Sequence, residues 1–188
     1  EEQLSEIAGI NHTLRGIIKM NKSLLLLSRI DNKQFPDTSE IDFNKLINKY
    51  LPDFEDMYEY KNIHVTYTET GTLIYTMNES LASTLLSNLL KNAFIHNIEN
   101  GSIAISITDR TLTISNSSES TGLNEATLFN RFEKLNENAQ GSGLGLSICQ
   151  LIVERFGGKI WIDPEYKNGS RFLFTHPIVS TSRKEVSE

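Results

Sequence analysis

An intramolecular disulfide framework is excluded, because the 188 residues include a single cysteine, Cys149. Such cysteine usage is in keeping with a reducing compartment. The sequence lacks any run of about 18 apolar residues, so no membrane-spanning helix is expected, and its acidic start does not resemble a signal peptide. The 18 Lys and Arg residues are fewer than the 24 Asp and Glu residues, which argues against a nucleic-acid-binding surface. We therefore expect a cytoplasmic protein with one globular domain and an appendage.

A long amphipathic helix is predicted over residues 4–30. Its apolar residues recur every three or four positions and form a narrow seam of coiled-coil type. The members of this apolar seam are Ile7, Ile10, Leu14, Ile17, Met20, Leu24 and Leu27. Because one helix cannot bury the seam on itself, we expect it to pack on helices of an earlier segment or of another subunit. The alternative is a helix that lies on its own domain. Pro36 ends the pattern and marks a hinge.

From residue 42 to residue 175 the apolar periodicity alternates between that of helices and that of strands. Asp42 is a suitable N-cap for one helix, and Asn78 or Ser80 for another. The predicted elements are helix 43–60, strands 64–68 and 72–75, a helix through 97, hairpin strands 102–107 and 111–115, a helix after the glycine cluster, and strands 157–163 and 169–175. Residues 116–140 show little periodicity apart from Leu128 to Phe132, which is typical of a mobile lid with one aromatic anchor.

Polar residues recur on the helix that ends near residue 97. Asn88 and Asn92 are four residues apart and share one helix face. His96 and Asn97 continue toward its C-terminal end. Amide oxygens suit hard cations such as Mg²⁺, which also takes water and phosphate oxygens as ligands. The pattern thus indicates a cation site, or alternatively a solvent-exposed polar stripe.

Three alternating glycines, Gly141, Gly143 and Gly145, precede the next apolar helix. The first turn of a helix offers unpaired N–H groups and the positive end of its dipole, so an anion is the expected ligand. Glycine lets such a ligand approach the backbone closely. A tight turn without a ligand is the alternative interpretation.

The order of these motifs resembles that of sensor histidine kinases of two-component systems. Asn88-Leu-Leu-Lys-Asn92, Leu128-Phe-Asn-Arg-Phe132 and Gly141-Ser-Gly-Leu-Gly-Leu146 resemble the N, F and G2 boxes of that family. Gly157-Gly-Lys-Ile-Trp161 and Gly169-Ser-Arg-Phe172 resemble the segments that follow. The resemblance covers about residues 4–178, and three boxes in order at suitable spacing are far more specific than any one of them.

The resemblance implies an α+β protein with a Bergerat-type ATP-binding domain, a two-layer α/β sandwich whose mixed sheet is covered by helices. Residues 1–35 would be the C-terminal helix of a dimerisation and histidine-phosphotransfer hairpin whose first helix is missing here. Residues 36–178 would form the ATP-binding catalytic domain, and residues 179–188 a disordered tail. The implied partners are a second copy, bound through the N-terminal helix, and the receiver domain of a response regulator. Contact of this fragment with nucleic acid or membrane is not expected.

The resemblance also implies roles for individual residues. Asn92 would hold the Mg²⁺ that bridges the ATP phosphates, and Asn88 would lie beside the transferred phosphoryl group. Related ATP-hydrolysing families have a glutamate in the place of Asn88; since an amide cannot activate water as a base, Asn88 favours transfer over hydrolysis. Phe129 would help to anchor the lid. The other expected ATP contacts are His96, Asn116, Phe132, Lys134, Gly141, Gly143, Leu144 and Gly145, with Phe132 also anchoring the lid.

Two positions depart from the family pattern. Asn116, followed by Ser117 and Ser118, stands where the G1 box has an aspartate followed by glycines. An amide oxygen can still accept a hydrogen bond from adenine, although it is a weaker acceptor than a carboxylate. Ile95 occupies a position where lysine often faces the phosphates, and Lys91 or Lys134 could compensate. These departures favour the alternative function, a degenerate non-catalytic dimeric signalling module with weak or no nucleotide binding.

His12, in His12-Thr-Leu-Arg15, imitates a phosphoacceptor box. About 24 residues separate it from Pro36, enough for one helix but not for the remainder of one helix and a return helix. We therefore interpret His12 as a helix-surface residue. The acceptor histidine is expected upstream of residue 1, so this fragment alone is not expected to autophosphorylate.

Overall fold

The computed structural model describes residues 2–119, 125–133 and 142–175, apart from the side chains of residues 2–6, 8, 12, 125 and 126. The helices are α1 (Glu2–Asp31), α2 (Phe43–Met57), α3 (Glu79–Ile95), α4 (Glu125–Leu128) and α5 (Gly145–Arg155), and a 3-10 turn spans Glu59–Lys61. The strands are β1 (Ser39–Asp42), β2 (His64–Glu69), β3 (Ile74–Met77), β4 (Ser102–Ile107), β5 (Thr111–Ser117), β6 (Lys159–Ile162) and β7 (Gly169–Thr175).

Side-chain caps determine where α2 and α3 begin. The Asp42 carboxylate accepts a hydrogen bond from the Lys45 N–H at 3.1 Å. The Asn78 amide oxygen accepts from the N–H groups of Ser80, at 3.1 Å, and of Leu81. Each bond satisfies a donor that has no partner within its own helix. Of the two residues proposed as the second cap, the structure selects Asn78.

Five strands form the main sheet in the order β2-β4-β5-β7-β6. β2 is parallel to β4, and the other neighbouring pairs are antiparallel, so the sheet is mixed. Alternate residues of β4 are buried, namely Ile103, Ile105 and Ile107, whereas Ser102 and Ala104 are exposed. The buried face packs against helices in one continuous apolar core. This arrangement confirms the predicted two-layer α/β sandwich.

A second, two-stranded antiparallel sheet pairs β1 with β3. β1 was not expected, because its sequence Ser-Glu-Ile-Asp has a single apolar residue, Ile41, which is buried. The predicted strands on either side of Gly71 are confirmed as β2 and β3. They belong to different sheets, since β2 pairs only with β4 and β3 only with β1 among the described residues.

The long helix α1 agrees with the prediction for residues 4–30. Its apolar seam is exposed from Ile7, with 55% of its surface accessible, to Leu24, with 39%. By contrast, Leu27 and Ile30 are buried in the same core as the sandwich, where α1 packs on α5. No helix within the described ranges is long and apolar enough to cross a membrane. The tail predicted at 179–188 lies outside the described residues.

Candidate functional site

The C-terminal half of α3 presents the two asparagines of the predicted cation site. Asn88 and Asn92 are both half-buried, one helical turn apart. Within the part of the chain that the structure describes, no other group hydrogen-bonds the Asn92 amide. Because Asn92 is half-buried, its amide oxygen can be reached by a ligand.

The first residue of α5 lies directly beside Asn88. A Cβ atom added to Gly145 would be 3.7 Å from Asn88 Oδ1. Leu144, which precedes α5, is fully buried and offers no side-chain cap to the helix. The N–H groups of the first turn of α5 are thus left without a capping side chain, next to an asparagine of α3. Two regions that are 57 positions apart in sequence, at Asn88 and Gly145, meet here.

Cys149, in the helix that follows the glycine loop, lies beside the Asn88 side chain. Its thiol is fully buried and contacts the Leu85 carbonyl oxygen at 3.8 Å. Burial raises the pKa of the Cys149 thiol, while a hydrogen bond with the Asn88 side chain acts in the opposite direction. The thiol therefore remains protonated at neutral pH, as expected for a packing residue rather than a nucleophile.

The glycine loop is hydrogen-bonded through the backbone to residues 128–132, the apolar part of the predicted lid, which we call the lid segment. The Phe132 N–H donates to the Gly143 carbonyl oxygen at 2.9 Å. Gly143 has a positive φ of 68°, and an added Cβ would be 2.6 Å from the Phe132 carbonyl carbon. Only glycine fits this position without displacing the lid backbone.

The two phenylalanines of the lid segment differ in their surroundings. Phe129 is half-buried and packs against the core, so it can anchor the segment as expected. Phe132 is 53% exposed and has a positive φ of 67°, so it is less buried than Phe129, and its expected role as an anchor remains a prediction. Lys134 and Gly141, both expected to contact ATP, lie outside the described residues.

Asn116 is buried near the end of β5, opposite Ser170 of β7. Its Nδ2 donates to the carbonyl oxygen of Ser117 at 2.8 Å. One half of the amide is therefore satisfied locally. The Ser117 side chain in turn accepts from the Ser102 N–H at 3.0 Å, which ties β5 to the start of β4. β5 packs against α3, so Asn116 is on an element adjacent to the asparagine helix.

His96 ends α3, and its N–H donates to the Asn92 carbonyl oxygen at 3.1 Å. Burial lowers the pKa of the His96 imidazole, and the positive charge of Lys61 lowers it further. The ring is therefore neutral at physiological pH, and its nitrogens can both donate and accept a hydrogen bond.

Lys91 lies between the two asparagines in sequence and faces α1. Burial lowers the pKa of Lys91 to about 8, and hydrogen bonding with Lys19 of α1, together with its charge, contributes in the same direction. Lys91 thus lies near the positive charge of Lys19, and its suggested compensation for Ile95 remains a prediction.

The residues present fit a magnesium ion that takes most of its coordinating oxygens from a bound phosphate compound and water, and few from the protein. No group of three or more His, Cys, Asp or Glu side chains suited to holding a metal occurs among the described residues. Asn92 offers an amide oxygen with no competing hydrogen bond in the same part of the chain. Mg²⁺ is commonly bound in this way, by one or two protein oxygens together with phosphate oxygens and water.

Comparisons with known proteins agree with this geometry. Residues 77–180 match the family of histidine kinase-, DNA gyrase B- and HSP90-like ATPases. The heme sensor protein HssS of Staphylococcus saprophyticus is 28% identical over 93% of this chain and 38% of its own length. The adaptive-response sensory kinase SasA of a Synechocystis species is 31% identical over 71% of this chain and 37% of its own length. The chain thus spans well under half of the length of these two relatives.

A solved structure shows the same architecture. The catalytic domain of histidine kinase ThkA superposes with a TM-score of 0.65, with 29% identity, over 75% of this chain and 95% of that domain. The family match includes α3, the glycine loop and the last four strands of the main sheet. The chain therefore belongs to the histidine kinase-, DNA gyrase B- and HSP90-like ATPase family, as a catalytic domain of the sensor histidine kinase type.

Proposed function

We propose that this chain binds Mg-ATP between α3 and the glycine loop and transfers the γ-phosphoryl group to a histidine outside the chain, for relay to a response-regulator aspartate. The main support is the position of Gly145 beside Asn88, with 3.7 Å between Asn88 Oδ1 and an added Cβ. This contact places the uncapped first turn of α5, an anion-binding element, against the helix of the two asparagines.

Each residue of the site has a chemical task that suits phosphoryl transfer. Asn92 would hold Mg²⁺, which when bound neutralises phosphate charge. Asn88 would hydrogen-bond the transferred group; being an amide, it offers no base for the activation of water. The N–H groups after Leu144, made accessible by Gly143 and Gly145, would stabilise the remaining negative charge. Catalysis would then consist of positioning and electrostatic stabilisation, as is usual for this reaction.

The adenosine end and the lid would complete the site. Asn116 keeps its Oδ1 as an acceptor for the adenine amino group, because its hydrogen bond to Ser117 uses only Nδ2. A neutral His96 at the end of α3 can donate to a phosphate oxygen. Phe132, Lys134 and Gly141 remain further predicted contacts of the nucleotide.

We further propose that α1 forms the interface with a second copy of the chain. Six large apolar residues of the seam expose between 37% and 60% of their surface: Ile7, Ile10, Leu14, Ile17, Met20 and Leu24. An apolar stripe with this spacing is typical of helices that associate. On this proposal residues 1–35 form half of a dimerisation hairpin and residues 36–178 the catalytic domain.

The degenerate, non-catalytic module is the second candidate. It is favoured by Ile95 in place of a lysine and by the absence of glycine at Ser117 and Ser118. This candidate predicts a folded protein with the same apolar seam and no measurable nucleotide affinity.

Calorimetric titration with a non-hydrolysable ATP analogue distinguishes the two candidates. We expect micromolar binding that requires Mg²⁺, and Asn92→Ala should weaken it by about tenfold or more, because a metal ligand is lost. Asn48→Ala removes an exposed amide from α2, where it contacts Glu69 at 3.4 Å, and serves as the matched control. Absence of heat with a folded wild-type protein at high micromolar analogue would support the degenerate module instead.

A further inference from the structure

The end of α3 has an unusual cap, a lysine that is distant in sequence. Lys61 Nζ donates to the carbonyl oxygens of Phe94 at 3.0 Å, Ile95 at 2.8 Å and Asn97 at 3.0 Å. These carbonyls lie at and just beyond the end of α3, where the helix offers few N–H donors; the Phe94 carbonyl oxygen also accepts from the Asn97 N–H at 3.4 Å. A glycine in the left-handed conformation commonly ends a helix, but the residues after α3 are His96 and Asn97. Here the Lys61 ammonium group, which has three N–H donors, hydrogen-bonds the last carbonyls in place of a glycine cap.

Lys61 is itself held in place by its backbone. Its N–H donates to the Tyr58 carbonyl oxygen at 2.9 Å, and its carbonyl oxygen accepts from the Asn100 N–H at 2.8 Å. The neighbouring Asn62 side chain also bonds to Asn100 Oδ1 at 2.7 Å. The 3-10 turn and the loop that follows α3 are thus fastened together, and the ammonium group is directed at the helix end by a rigid support.

The helix end capped in this way belongs to the proposed nucleotide site. Asn92 lies in the last turn of α3 and His96 follows that turn as the C-cap residue; the His96 N–H donates a hydrogen bond to the Asn92 carbonyl oxygen. The C-terminal end of a helix has a partial negative charge, which would repel the phosphates of ATP. The Lys61 ammonium group, bound to the last carbonyls, offsets that negative charge at the helix end and so reduces its repulsion of the phosphates.

We propose that Lys61 is a positioning residue of the nucleotide site: by capping and neutralising the end of α3, it holds Asn92 and His96 in a geometry and field that accept a triphosphate. This inference rests on the proposed function. Lys61 donates its hydrogen bonds to backbone carbonyls and acts on the nucleotide only through α3. A helix cap with a solely structural role is the competing explanation, and it predicts a change in stability alone.

The test compares three variants at this position with a matched control. Lys61→Met removes the hydrogen-bond donors as well as the charge. Lys61→Gln keeps two N–H donors but no charge, and Lys61→Arg keeps the charge. Lys45→Met removes a lysine whose side chain is 86% exposed at the start of α2. Since Tyr58, after α2, stacks on Phe94, the start of α2 lies about 20 Å from the end of α3. Each protein is titrated with the non-hydrolysable ATP analogue and Mg²⁺, and the His96 ring is titrated by NMR.

We expect Lys61→Met and Lys61→Gln to weaken analogue binding by about tenfold. In both variants the pKa of His96 should rise, because the charge of Lys61 lowers it in the wild type. Lys61→Arg should retain the low His96 pKa and most of the affinity, and Lys45→Met should change neither. Should Lys61→Met not fold, the Gln variant still separates the loss of charge from the loss of donors.

Two results would overturn the inference, and they are distinguishable. If the wild type binds the analogue and Lys61→Gln binds it within about twofold, Lys61 is only a structural cap and the proposed function is untouched. If the folded wild type does not bind the analogue at all, the proposed function itself fails, and the role of Lys61 in it fails too.

Discussion

At Gly145 we expect the absence of a side chain to matter more for ligand binding than for folding. An added Cβ would be 3.7 Å from Asn88 Oδ1, an ordinary van der Waals distance, and Gly145 has the backbone conformation of a helix. Alanine would therefore fit sterically. What it would change is the surface offered to a ligand, since the methyl group would stand between the first N–H groups of α5 and the Asn88 amide.

Gly145→Ala should therefore separate stability from binding. We expect the free energy of unfolding to remain equal or to rise by up to about 1 kcal/mol, because alanine restricts the unfolded chain and favours the helix. Affinity for the ATP analogue should fall by about tenfold, because the phosphates can no longer approach the backbone. Denaturant unfolding and calorimetry on the same preparations give both quantities.

Gly143→Ala is the informative contrast. Here φ is 68° and the added Cβ would be 2.6 Å from the Phe132 carbonyl carbon, so strain is unavoidable. We expect a loss of about 1–3 kcal/mol of stability in addition to weaker binding. If Gly145→Ala instead binds the analogue as tightly as the wild type, the proposed position of the phosphates is incorrect.

Single residues of the site differ in how far the sequence reveals them. Asn88, Asn92 and the glycines were identifiable because each lies in a short local motif. Lys61 was not, because its partners lie 33 to 36 residues further along the chain and no local pattern links a lysine to three backbone carbonyls. The exposed ring of Phe132 was also unpredictable, since an aromatic residue in an apolar segment is ordinarily buried.

Between elements, Lys19 of α1 and Lys91 of α3 bring two positive charges near one another. Lys19 and Lys91 face one another, and burial and the hydrogen bonding and charge of Lys19 together lower the pKa of Lys91 to about 8. Replacing Lys19 by glutamine should raise the pKa of Lys91 toward its ordinary value of 10.5, without reaching it, because burial remains. An NMR titration of the lysine side chains measures this shift, and Lys22→Gln, an exposed change on the same helix, is the control.

The same pair makes stability depend on pH with a defined sign. Because the pKa of Lys91 is lower in the folded than in the unfolded protein, the unfolded chain binds more protons between pH 8 and 10.5. The titration of Lys91 therefore makes the free energy of unfolding of the wild type increase with pH across this interval. Lys19→Gln should be more stable than the wild type at pH 7, and the difference should shrink toward pH 10. A difference that stays constant over this range would show that the two lysines do not interact.

Other contacts link α1 and the hinge to the catalytic elements. Asp31 pairs with Arg131 of the lid segment at 3.3 Å, and Arg155 of α5 donates to the Phe35 carbonyl oxygen at 3.2 Å. The Asp31–Arg131 pair is exposed to solvent, so its contribution to stability is small. The burial of Leu27 and Ile30 against α5 is the larger contribution, because it removes two aliphatic side chains from water.

The identity of most elements and the β4–β5 hairpin followed from the sequence, whereas the pairing of strands distant in sequence did not. Caps and apolar periodicity are local signals, and they located α2, α3 and the β4–β5 hairpin. Strand β1 has only four residues, of which Ile41 alone is buried apolar, so its pairing with β3 depends on contacts over more than 30 positions. The division of β2 and β3 between two sheets has the same origin, since sheet membership is a property of the whole fold.

For the whole molecule, the sheet and helices have the architecture of a histidine kinase catalytic domain, while the chain spans only 38% of HssS and 37% of SasA. The apolar seam of α1 remains exposed, as expected for a surface that another helix covers. The phosphoryl acceptor is therefore proposed to lie on a helix outside this chain. Resemblance to a family, rather than composition or periodicity, supplied this part of the interpretation.

The most direct test uses the full-length protein and ATP labelled in its γ-phosphate. We predict an acid-labile label on a histidine outside these 188 residues, retained in His12→Gln and lost in Asn92→Ala. The label should be transferred further when a receiver domain is added. Release of the label only as inorganic phosphate, or its loss in His12→Gln, would contradict the account.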